Sequence, residues 1–144
     1  MNEKLVLAGF LLYMIPAAVW DLKSRSVPLW YLLAGIPAGA GIALVTVLSG
    51  EAAWYAVPIS LLPGIFLLLV CWGSEKKIGA ADGLMFLTAG LFLGIRSAFL
   101  LLVLSLLLSS AVSVLLLLGR KASLRTRIPF LPFMAAALLL MTMQ

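Results

Sequence analysis

Five acidic residues occur in the chain, Glu3, Asp21, Glu51, Glu75 and Asp82, and two of them stand where acids are scarce. Asp21 closes one apolar run, and Asp82 lies just inside another, 61 residues later. Two carboxylates brought within a few Å cannot both ionise freely. Like-charge repulsion raises one pKa, so one stays protonated while the other can deprotonate a water held between them. That water attacks a peptide carbonyl, and the protonated partner polarises or protonates the carbonyl oxygen. The tetrahedral species then collapses with a proton given to the leaving amine. Such hydrolysis needs no metal, no nucleophilic side chain and no cofactor.

The rest of the residue census points the same way. With no histidine and a single cysteine, Cys71, the chain cannot build a zinc site, an imidazole base, a Cys-His dyad or a disulfide framework. No metal or cofactor is expected. A serine–lysine hydrolase is disfavoured too, because the lysines fall at the ends of apolar runs and no Ser-Lys spacing stands out. The net charge of +5 could suggest nucleic acid, but the basic residues sit in short connections between apolar runs. A membrane surface and its lipid headgroups explain them better, and no nucleic-acid partner is expected.

Each aspartate also has a plainer explanation. Asp21, next to Lys23 and Arg25, could be an interfacial charge wetted by headgroup water. Asp82 follows Gly79-Ala80-Ala81 and precedes Gly83, so it could be a helix N-cap. Against that, an ionisable residue at the start of a long apolar helix is a functional candidate by default.

The elements that must position the pair follow from composition. Of 144 residues 65% are hydrophobic and 10% charged, with a mean hydropathy of +1.23, too few charges to cover a soluble surface. The expectation is an all-α integral membrane protein, a bundle of about six transmembrane helices forming a single domain over 1–144, with no separate soluble domain. Apolar runs lie at roughly 5–20, 29–48, 54–72, 79–95, 97–118 and 128–143. Only Arg96 and Ser97 divide the fourth from the fifth, so a single long broken helix or a tight re-entrant turn is the alternative there. The first run lacks a small-x-small cleavage site and is expected to stay in the mature chain.

Eight basic residues, Lys23, Arg25, Lys76, Lys77, Arg120, Lys121, Arg125 and Arg127, follow runs one, three and five, whereas only Lys4 and Arg96 fall on the other side. The positive-inside rule then makes the eight-charge side cytoplasmic and leaves both termini outside. Asp21 directly follows the first span at that cytoplasmic end. Asp82 is about three residues into the fourth, so at ~1.5 Å per residue both lie at similar depth on one face. They can meet if the two helices are neighbours.

Three segments resemble the type IV prepilin peptidases, membrane aspartic proteases of the GxGD type. Asp21-Leu22-Lys23-Ser24-Arg25-Ser26-Val27-Pro28 is similar to the family's first motif, an aspartate followed by basic residues and Ile/Val-Pro. Ile78-Gly79-Ala80-Ala81-Asp82 resembles Gly-x-Gly-Asp, and Ile128-Pro129-Phe130-Leu131-Pro132-Phe133 resembles the segment that opens the last helix. The resemblance implies Asp21 and Asp82 as catalytic residues, with Lys23, Arg25, Pro28, Gly79, Pro129 and Pro132 as supporting positions. It implies an aspartic endopeptidase of the cytoplasmic membrane that removes the basic leader of type IV prepilin or pseudopilin-like precursors, in pilus or protein secretion systems. Glu75 is a possible leader contact, with an exposed loop acid as the plainer alternative.

Two positions depart from the pattern. Ala81 replaces the second glycine, which matters if the backbone there needs a positive φ, and Leu84 replaces a lysine that could pair with Asp82. The paired-cysteine segment that many relatives carry for pilin N-methylation has no counterpart, so the short, peptidase-only form is expected.

Two rival classes remain open on the residues alone. A small proton- or cation-coupled transporter would also use intramembrane carboxylates, although at midplane rather than near one surface. A non-catalytic pilus or secretion assembly factor would need neither aspartate. Other features are expected to build the bundle. Ser105, Ser109 and Ser113, together with Gly35-x-x-x-Gly39 and Gly90-x-x-x-Gly94, suit close helix packing. Pro16, Pro37, Pro58 and Pro63 suit bends, and Trp20, Trp30, Trp54 and Tyr55 suit interfacial anchors.

Overall fold

The computed structural model describes residues 2–74, 79–119 and 128–144, and all regular structure among them is helical. Helix α1 (Glu3–Ser24) begins where the Asn2 side chain accepts the Lys4 N–H at 3.3 Å. It runs past the end of its apolar stretch, so Asp21 lies in its last turn rather than directly after the helix. The extra turn closes where Arg25 adopts a left-handed conformation (φ 53°) and donates its N–H to the Asp21 carbonyl at 2.9 Å. Lys23 sits in that last turn, where a cation complements the helix dipole. Pro28, extended at ψ 130°, then starts α2 (Leu29–Leu48), whose bounds match the second apolar run.

The third run is two helices, α3 (Ala56–Ser60) and α4 (Leu62–Gly73). Pro63, in the first turn of α4, supplies the reason: it has no N–H, and its ring would collide with the carbonyl four residues back. The fourth and fifth runs form α5 (Ala80–Leu118), broken at Gly94, where φ 75° and ψ 171° are open only to glycine. Two arms result, 80–93 and 95–118. Leu101 and Leu102 of the second arm join the same buried core as Met85, Phe86 and Ala89 of the first. The last run is shorter than expected, α6 (Leu131–Thr142).

Among the described residues three helices, α1, α2 and α5, are long and apolar enough to cross a membrane. The expectation of about six separate spans is therefore met only in part. At 12 residues each, α4 and α6 reach about 18 Å, short of a hydrocarbon core of roughly 30 Å.

Helix α5 is central and packs against each of the other helices, while α1 also packs along α6. Glycines let backbones approach: a methyl at Gly64 would strike the Leu87 backbone, and one at Gly83 would come within 2.6 Å of Leu68. Of the small-residue pairs singled out in the sequence, Gly35, Gly39 and Gly90 are close contacts, facing Tyr13, Leu91 and the Ser60 carbonyl. Gly94 is the break instead. Ser105 and Ser113 bond back to Leu101 and Ser109 carbonyls of their own helix, at 2.6 and 2.7 Å, rather than across to a neighbour.

Helices α1 and α2 make little direct backbone contact, and aromatic side chains bridge them. The Tyr13 and Tyr31 rings stack at 5.0 Å and 5°, each hydroxyl donating to the other's backbone carbonyl, at 2.9 and 2.6 Å. Trp20 and Trp30 close the cluster edge-on around Tyr31.

Candidate active site

Asp82 is the third residue of α5, one turn after Gly79, the N-cap. Gly79 is extended (φ −69°, ψ 128°), so Asp82 occupies the first turn rather than the cap position. An acid there still gains from the helix dipole. Ala80 and Ala81 are helical, and positive φ among the described residues is confined to Arg25, Gly50 and Gly94. The methyl of Ala81 therefore meets no conformational penalty, and alanine is the best helix former. Leu84 packs against the core, so its position is apolar here.

Asp21, from the last turn of α1, approaches Asp82 closely enough for the two carboxyl groups to interact electrostatically. Both are partly accessible. A third element joins them: the backbone N–H of Leu131, first residue of α6, donates to Asp21 Oδ2 at 3.2 Å across 110 residues of chain. Around this point Phe86 and Phe130 approach with ring centroids 6.2 Å apart, and Leu131 is fully buried. The arrangement offers two acids, one fixed by a neutral donor, against an apolar wall.

The supporting positions fall as follows. Lys23 and Arg25 are exposed, and their roles here are in ending α1. Pro28 caps α2, Gly79 caps α5, and Pro132 is in the first turn of α6, preceded by Pro129. A methyl on Gly79 would lie 3.4 Å from Asp82 Oδ2, ordinary contact. Glu75, Lys76, Lys77, Ile78, Arg120, Lys121, Arg125 and Arg127 lie outside the described residues.

Glu3 and Glu51 are remote from the pair. They line a cavity of about 360 Å³ with Ser60, Gly90, Gly94 and Ser97. A neighbouring cavity brings Glu3, Arg96 and Gln144 together. Along α1, Glu3 is about 27 Å from Asp21, so these cavities mark the opposite end of the molecule.

The Leu131 donor was missed in sequence, although a signal exists. Phe130, the N-cap of α6, has no side-chain acceptor, so a cap had to come from elsewhere. The reciprocal tyrosine bonds left no such trace.

An all-helical arrangement among the described residues, with helices long and apolar enough to cross a membrane and with its first, fifth and sixth helices converging on two carboxylates, is the class these observations define. Residues 5–118 match the family model of the type IV leader peptidase family, and the chain belongs to that family. The match makes it a peptidase by family and ends before α6. No curated protein and no solved structure matches the chain.

Proposed function

We propose that the chain is an aspartic endopeptidase that removes the basic leader from type IV prepilin or pseudopilin-like precursors, with Asp21 and Asp82 as its catalytic pair. The observation that carries this is the approach of two carboxylates 61 residues apart in sequence, each at a helix end. In the proposed reaction one carboxylate takes a proton from water as its oxygen bonds to the scissile carbonyl carbon. The other gives a proton to the carbonyl oxygen. Collapse breaks the C–N bond, the amine leaves with a proton, and the pair returns to its starting state.

The proposal extends to the setting. Counting α3 with α4 as one crossing and the two arms of α5 as two gives six passes of the cytoplasmic membrane. Both termini are then outside, and the aspartates are at the cytoplasmic face. The common position of Glu3, Arg96 and Gln144 supports this alternation. A precursor whose apolar helix lies in the bilayer, with its leader in the cytoplasm, would bring its scissile bond to the depth of the pair.

The test is a gel-shift assay on pilin-like precursors from the same cell, co-expressed with the enzyme. Wild type should shorten the precursor, and Asp21→Asn and Asp82→Asn should each abolish shortening while still inserting in the membrane. Cleavage by either variant at the wild-type rate would remove that residue from the catalytic pair.

A further inference from the structure

We propose that the first turn of α6 is the positioning device for Asp21, acting through the Leu131 N–H on one oxygen of its carboxylate. The inference rests on the peptidase assignment and adds to it a segment beyond the residues that the family match covers.

The start of α6 leaves one donor to place. An α-helix opens with N–H groups that have no intrahelical partner. In α6, Phe133 and Met134 both donate to the Phe130 carbonyl, at 3.0 and 3.2 Å. Pro132 has no N–H, and the Phe130 side chain accepts nothing. That leaves the Leu131 N–H, on a residue fully buried, and Asp21 Oδ2 receives it at 3.2 Å. Because Pro132 withholds a second donor, this turn offers Asp21 a single N–H, and it goes to Oδ2. The hold is firm because Leu131, Met134, Ala137 and Leu138 bury one face of α6 in the core shared with Phe10, Met14 and Ala17 of α1. Leu131 is thus a positioning residue through its main chain, and its side chain serves as the anchor.

The experiment replaces the Leu131 amide by an ester, using the α-hydroxy analogue of leucine at position 131, which deletes the N–H and keeps the side chain. Kinetics are read on a precursor that wild type cleaves; a wild type that cleaves nothing sinks the peptidase assignment, not this one. The expected result is a kcat lower by about 10- to 100-fold with KM unchanged, the scale of a lost hydrogen bond to a charged group. An unchanged kcat would overturn the proposal. A second arm needs no activity and answers the question if the ester chain does not accumulate. In a Cys71→Ala background, Ala137→Cys reports whether α6 stays docked through its rate of thiol labelling. Asp21→Asn retains an acceptor and should label as slowly as its parent, whereas Asp21→Ala should label at least several-fold faster. Equal rates in the two Asp21 variants would also overturn the proposal.

Discussion

Gly79 and Asp82 touch across one turn, so a side chain at 79 would sit against the carboxylate without disturbing the backbone. Gly79→Ala should therefore leave thermal unfolding in detergent almost unchanged, yet lower kcat several-fold by crowding the carboxylate at which the proposed reaction holds its water. An equal loss of stability and activity would count against this. The tyrosine pair behaves oppositely, because it lies within the helix interface rather than at the acids. Tyr31→Phe removes one hydroxyl and with it the bond to the Tyr13 carbonyl, so it should cost about 1 kcal/mol of stability, measured by denaturation. At this scale the sequence was informative about identity and weak about company. Asp21 and Asp82 could be singled out because acids are rare in apolar helices. Nothing in the spacing said that Leu131 would reach Asp21, because that bond depends on how α6 packs.

Helices were legible where hydropathy and punctuation agreed. The run at 29–48 is α2 to the residue, with Pro28 before it and Ser49 after it. Elsewhere backbone chemistry overrode hydropathy. The largely polar segment 21–24 extended α1, Pro63 divided the third run, and Gly94 placed the break in α5 two residues before the charged boundary at Arg96. The Gly94 break gives a direct prediction. Alanine cannot adopt φ 75°, ψ 171° at low cost, so Gly94→Ala should destabilise by about 1–3 kcal/mol, seen as a lower melting temperature. Gly9→Ala is the control: it lies in the regular interior of α1 with open space around it, and should be neutral or slightly stabilising.

The whole bundle is held by its fifth helix, which receives α2, α3 and α4 on glycine-smoothed faces and meets α1 and α6 around the acids. That adjacency was the part of the fold that hydropathy could not supply, since it gives crossings and not neighbours. The proposed orientation is testable at the same scale: a reporter active only outside the cytoplasm should work when fused after Gln144 and fail when inserted in the 120–127 connection. The reverse pattern would invert the topology. Glu3, Lys4 and Gln144 border one cavity, and α1 lies along α6, so Glu3 and Gln144 are neighbours. A short flexible linker could join them, and new ends could be opened at the exposed Gly50, next to Glu51 on the rim of the adjoining cavity. Such a circularly permuted chain should insert, fold and keep its acids together, because covalent order matters less here than which helices end up side by side.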